Sequence, residues 1–143
     1  MRVAIVGSRD YPRLRVVSGY VQTLPPDSVV VSGGAAGVDE QAVRAAIARG
    51  LKHHEVKVDT AGLPEDEEER RREFGRRAYA RNTKIVEWVD AVVAFWTTCK
   101  RPNCPRPQPH MTHGTAHAIS EARRLKKPLR QIGPDGNLVE ESA

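Results

Sequence analysis

The sequence predicts an α/β three-layer sandwich, a mainly parallel five-stranded sheet with helices on both faces. Three observations carry that prediction. Short β-branched runs at 2–6, 29–31 and 90–96 are apolar apart from the leading Arg2 and Asp90, the pattern of strands covered from both sides. Segments with apolar residues at helical spacing lie between them. Strand and helix patterns alternate along the chain, and that order builds βαβ units.

The first run, RVAIV at 2–6, leads straight into Gly7, Ser8, Arg9 and Asp10. Ser8 supplies a hydroxyl, and Arg9 a planar fork suited to phosphate or carboxylate. A surface ion pair is the alternative for Arg9, but its place outside the carboxyl end of a strand is where open α/β sheets bind ligands. Leu14, Val17, Val21 and Leu24 then keep helical spacing until Pro25 and Pro26 end the helix.

The stretch over 29–42, VVVSGGAAGVDEQA, organises the rest. Its valines form a strand that Ser32, Gly33 and Gly34 stop. From Val38 the positions Ala42, Ala45 and Ala46 mark a helix that Gly50 ends. A glycine turn lets a ligand approach the backbone, and the helix start behind it offers free N–H groups and a positive dipole end. Gly33, Gly34 and Gly37 make neither GxGxxG nor the GK[ST] phosphate loop, so a tight turn without ligand is the competing reading.

A weaker third strand is expected over 54–58, near a sheet edge, with His53 and His54 as surface residues. Leu63 and Pro64 open a long helix, acidic at 65–69 and basic at 70–81, with Glu67/Arg71, Glu68/Arg72 and Glu73/Arg77 spaced for ion pairs. Arg81 and Asn82 fall where Ala78, Ile85, Val86 and Val89 pack on the sheet. Asn82 therefore bonds backbone or faces a pocket. The fourth strand, over 90–96, exits into a proline-rich loop at 97–113. Gly114 and Thr115 begin another helix, with Ala118, Ile119, Ala122 and Leu125 on one side. A fifth strand at 129–132 precedes a turn and a short, frayed tail at 133–143.

The loop also holds Cys99, Cys104, His110 and His113, spaced C-x4-C-x5-H-x2-H. Zinc, a disulfide and free thiols are the alternatives. The spacing departs from common zinc patterns, and a reducing compartment favours free thiols, so no metal is assigned.

A chain of 143 residues is expected to fold as one domain over 1–143. No apolar run reaches membrane-span length, and MRVAIVGS lacks the apolar segment of a signal peptide, so a cytoplasmic location is expected with no membrane partner. The net charge of +5 favours polyanions, although the basic residues are scattered.

Taken together, Gly7-Ser8-Arg9-Asp10, the run from Ser32 to Asp39, Arg81-Asn82, the strand over 90–96 and Gly114-Thr115 resemble the SLOG superfamily of Rossmann-like proteins, and within it the YspA-like branch. The resemblance spans nearly the whole chain. It implies a pocket for a nucleotide or nucleotide-derived ligand and commonly a homo-oligomer, here expected as a dimer. Among the relatives it implies are the LOG, lysine-decarboxylase-like hydrolases, which cleave nucleoside monophosphates, and DprA/Smf, which binds single-stranded DNA. The hydrolases carry PGGxGTxxE. Here Gly114-Thr115 matches its GT, His110-Met111-Thr112 stands for PGG, and Ala118 replaces the glutamate. Asp39 or Glu40 is the substitute acid on this reading.

The resulting expectation is a nucleotide-binding protein without a resident cofactor. The loop amides of Gly33, Gly34 and Gly37, the Gly114-Thr115 helix start, Ser8 and Arg9 hold phosphate, and Gly7 and Ser32 belong to the same site. Asp39, Arg81 and Asn82 complete the site, Asp39 and Asn82 contacting sugar or base. A nucleoside-monophosphate N-glycosidic hydrolase is the alternative. A single-stranded nucleic-acid binder is the third reading, weakened by the 5% aromatic content.

Overall fold

The computed structural model describes residues 1–142. In chain order the elements are β1 (Arg2–Gly7), α1 (Leu14–Gln22), β2 (Val29–Ser32), α2 (Val38–Arg49), β3 (Lys52–Glu55), α3 (Glu67–Trp88), β4 (Ala91–Phe95), α4 (His113–Arg124), β5 (Leu129–Ile132) and β6 (Leu138–Ser142). The strands make one sheet ordered β3-β2-β1-β4-β5-β6. Neighbours run parallel except β6, which is antiparallel to β5. The chain builds outward from β1 to β3, then returns to lay β4 against the other side of β1. This reversal leaves a crevice outside the carboxyl ends of β1 and β4.

Alternation along the strands divides the core between the two faces. Val3, Ile5, Val30, Val93 and Phe95 pack with Val17 and Val21 of α1 and Val38, Ala42 and Ala46 of α2. Ala4, Val6, Val31, Val92 and Ala94 pack with Ile85 and Val86 of α3 and Ala118, Ile119 and Ala122 of α4. Each fully buried valine or isoleucine contributes about 1.5–3 kcal/mol. Gly7 ends β1 where there is no room for a side chain, since a Cβ there would lie 2.5 Å from the Phe95 carbonyl oxygen and 2.6 Å from Val38 Cβ. Among the described residues no helix is long and apolar enough to cross a membrane.

The sheet has six strands rather than five. Part of the expected tail forms β6, whose pairing covers the outer edge of β5. Charges secure it: Arg130 reaches Glu141 at 3.0 Å and Arg123 reaches Glu140 at 2.8 Å. So polar a strand carries no apolar alternation, which is why its sequence reads as tail. Ala143 lies outside the described residues.

The third strand lies at 52–55 instead of 54–58. Gly50 turns the chain with a left-handed φ of 79°, and the Leu51 N–H donates to the Ala46 carbonyl at 2.9 Å, so extension begins at once. β2 offers partners only as far as Ser32, which pairs with Glu55. This strand is exposed and at the sheet edge, as expected. The long helix starts at Glu67 rather than near Leu63 because the Asp66 carboxylate caps it, accepting from the Glu69 N–H at 2.9 Å. Glu67–Arg71 and Glu73–Arg77 form at 3.7 and 3.0 Å; among the described residues Glu68 and Arg72 do not pair.

Candidate functional site

A crevice of about 330 Å³ opens at the reversal of strand order. The loop after β1 lines it with Ser8, Arg9 and Asp10, the glycine loop with Gly33 and Ala35, and α2 with Asp39. Arg81 and Asn82 enter from α3, and Thr112, Gly114, Thr115 and Ala118 from the start of α4. Gly7 completes the set of expected residues that meet here. Gly34 lines an adjoining crevice that shares Arg9, Gly33 and Arg81.

Ser32 and Gly37 line neither crevice. The Ser32 side chain is fully buried and its hydroxyl has no hydrogen-bond partner among the described residues. Gly37, at φ 83°, faces Arg9, whose carbonyl oxygen a Cβ would strike. Its role is to let the first loop lie against the second.

The glycine loop also differs from expectation in what it holds. The Gly33 and Ala35 amides donate to Asp39 Oδ2 at 3.1 and 3.3 Å, so the Gly33 N–H expected to meet phosphate already has an anionic partner. The space left by glycine is filled from within the protein. A Cβ on Gly33 would lie 2.6 Å from Arg81 Nη1, and one on Gly34 would lie 2.5 Å from Glu55 Oε1. Arg81 Nη1 donates to the Gly33 carbonyl and, at 3.3 Å, to the Val56 carbonyl. Burial pushes the Asp39 carboxyl up to about 6, opposed by the Ala35 amide, Arg81 and the Gly33 amide, while Glu55 pushes the same way as burial. Burial lowers the Arg81 pKa, and Asp39 and Glu55 oppose that shift.

On the opposite wall three hydroxyls gather at the start of α4. Ser8 Oγ lies 2.5 Å from Thr112 Oγ1 and 3.4 Å from Thr115 Oγ1, and the Thr112 hydroxyl donates to Thr115 Oγ1 at 3.1 Å. The Thr97 N–H donates to Ser8 Oγ at 3.1 Å, fixing the hydroxyl from below. Thr112 precedes α4 without capping it, and the amides of His113, Gly114 and Thr115 have no carbonyl within the helix to bond. Asn82 joins the two helices: its Nδ2 donates to the Gly114 carbonyl at 3.4 Å, and its Oδ1 accepts from Arg81 Nε at 3.1 Å. Asn82 thus bonds backbone and also faces the crevice. Arg9 is exposed at the rim and forms no ion pair among the described residues.

Sequence reasoning missed Thr112 as a site residue. Its signal was its place three residues before Thr115, one helical turn away. Ala118 lines the crevice with a methyl group, and Glu40 lies outside it, paired with Arg44 at 2.6 Å.

The profile of a protein family described as DNA recombination-mediator protein A matches residues 1–83. The chain belongs to this family. The matched part runs from β1 into α3, so it includes Arg9, Asp39, Arg81 and Asn82 and stops short of Thr112 and Thr115. Among solved structures, DNA processing protein A of Streptococcus pneumoniae superposes with a TM-score of 0.67 at 21% identity, over 92% of this chain and 50% of that one. This chain therefore spans half the length of that protein. The structural-genomics target TM1055 superposes with a TM-score of 0.57 at 18% identity, over 90% of this chain and 71% of that one. No curated protein matches the chain. The family match and the shared fold agree with the SLOG resemblance and with the Rossmann-like architecture it implies.

Proposed function

We propose that the crevice binds a nucleotide or nucleotide-derived ligand by its phosphate. The observation that supports this reading best is the convergence of the Ser8, Thr112 and Thr115 hydroxyls on the first turn of α4, whose amides have no carbonyl within the helix to bond. A helix N-terminus with donors around it is an anion site by dipole and hydrogen bonding together. Arg9, at the rim and without an ion pair among the described residues, supplies the countercharge. Asp39 and Asn82 lie on the same lining and offer an acceptor and an amide to sugar or base. Gly33 acts indirectly, by admitting Arg81.

Family membership favours a second reading, single-stranded nucleic acid, since the family is described by DNA recombination and a structural neighbour by DNA processing. Both ligands present phosphate, and they differ in salt dependence. A thermal-shift screen separates them. Nucleoside monophosphates, cyclic nucleotides, NAD, ADP-ribose and oligothymidylate are compared at low and moderate salt, on the parent chain and on Arg9→Ala. A ligand held only by the folded state at one hundred times its Kd stabilises it by about 2.7 kcal/mol. A mononucleotide shift that Arg9→Ala abolishes supports the first reading; a shift with oligothymidylate alone, lost as salt rises, supports the second. No shift with any of them overturns both. Product analysis after incubation with the ligand that binds then tells retention from hydrolysis.

A further inference from the structure

The loop between β4 and α4 spends no residue of the site except Thr112, yet three of its chemically softest side chains meet that of His113, the first residue of α4, at one point. The potential ligand atoms of Cys99, Cys104, His110 and His113 all lie within 4.8 Å of one another. Cys104 Sγ is 3.5 Å from His110 Nε2 and 3.5 Å from His113 Nε2, and the two Nε2 atoms are 3.0 Å apart. Around a tetrahedral zinc with Zn–S of about 2.3 Å and Zn–N of about 2.05 Å, sulfur and nitrogen lie about 3.6 Å apart and two nitrogens about 3.4 Å. The spacings among Cys104, His110 and His113 are within a few tenths of an ångström of those values, and Cys99 Sγ lies within 4.8 Å of all three.

We infer that Cys99, Cys104, His110 and His113 form a structural zinc site that staples this loop to the start of α4. The chain brings the ligands together from three directions. An antiparallel bridge between Thr98 and Met111, with the Cys99 N–H donating to the His110 carbonyl at 2.7 Å, sets Cys99 beside His110. His113 comes from the first turn of α4, and Cys104 from the loop tip. His110 Nδ1 lies 2.9 Å from the Pro107 carbonyl. Donation there fixes the tautomer with its lone pair on Nε2, the outer-shell arrangement that metal-bound histidines use.

The chemistry of the set selects the metal. No Asp or Glu occurs over 97–113, so the loop itself offers none of the carboxylates that hard cations favour. Two thiolates and two imidazoles suit zinc, and four protein ligands leave no open position, which marks a structural rather than a catalytic site. The two cysteines are free rather than bridged. Four prolines keep the loop from regular structure, so a metal would supply order that its backbone does not. Thr112 lies between two ligands, so the metal also holds one wall of the crevice in place.

The test uses the full chain, purified under reducing conditions. Elemental analysis after dialysis is expected to find one zinc per chain. The chain freed of metal by a chelator and titrated with cobalt(II) is expected to develop the visible bands of tetrahedral cobalt with a thiolate charge-transfer band, saturating at one equivalent and vanishing when zinc is added. Cys104→Ala and His110→Ala, both in the loop, should lose these bands while circular dichroism shows the helices intact. Substoichiometric metal, octahedral cobalt spectra, undiminished binding by both variants, or a Cys99–Cys104 disulfide in the purified protein would each overturn the inference. None of these readouts depends on whether the crevice takes a nucleotide.

Discussion

The guanidinium of Arg81 occupies the space in which a side chain on Gly33 would begin, 2.6 Å from where that Cβ would stand. The two residues are therefore a coupled pair. Gly33→Ala should displace Arg81 from the Gly33 and Val56 carbonyls and cost about 1–2 kcal/mol, since the intruding methyl meets the end of a flexible side chain. Arg81→Ala should cost a similar amount. In the double variant the added alanine should cost little, giving a coupling of at least about 0.5 kcal/mol in urea unfolding. Additive losses would show that Gly33 serves another purpose.

Asp39 makes stability depend on pH in an unusual direction. Its folded-state carboxyl is raised to about 6 from 3.8, so the native state keeps a proton that the unfolded chain has released. The stabilisation is full below about pH 4 and is lost as pH rises through about 6, an effect of up to about 3 kcal/mol. Asp39→Asn removes that titration. The variant should gain on the parent chain between pH 4 and 7, measured as the difference in denaturant unfolding at the two values. A difference that stays constant with pH would mean the carboxyl is not held against its charge.

Ser8 ties the loop after β1 to both β4's exit and α4. Ser8→Ala leaves the buried Thr97 N–H without its acceptor and should cost about 1–3 kcal/mol. Thr112→Val keeps the shape and leaves that acceptor in place, so it should cost less and act mainly on phosphate binding. Thermal melts with and without the ligand found by screening separate the two effects.

Much of this architecture is legible in the residues. The valines at 29–31 and the AVVAF core of β4 read as strands because parallel strands buried on both faces need no polar alternation. The glycine loop, too, is visible as a place where something must come close. What comes close is not, because Arg81 lies 48 residues beyond Gly33 and Glu55 lies 21 beyond Gly34. Asp39 reads as a ligand contact, and its second task, accepting from its own loop's amides, is a relation only folding creates. The strand β6 hides for a different reason, being held by charge pairs with β5 and α4 rather than by an apolar face.

The crevice is assembled from halves of different standing. The family profile covers the half built by β1, the glycine loop and the α3 residues Arg81 and Asn82, and it ends before the hydroxyl wall of Thr112 and Thr115. The first half carries the family match, and the second lies beyond it. On the proposed reading, substitutions at Thr112 and Thr115 would alter how phosphate is met while leaving untouched the scaffold that the first half provides, so the choice of ligand has its own address in the last third of the sequence.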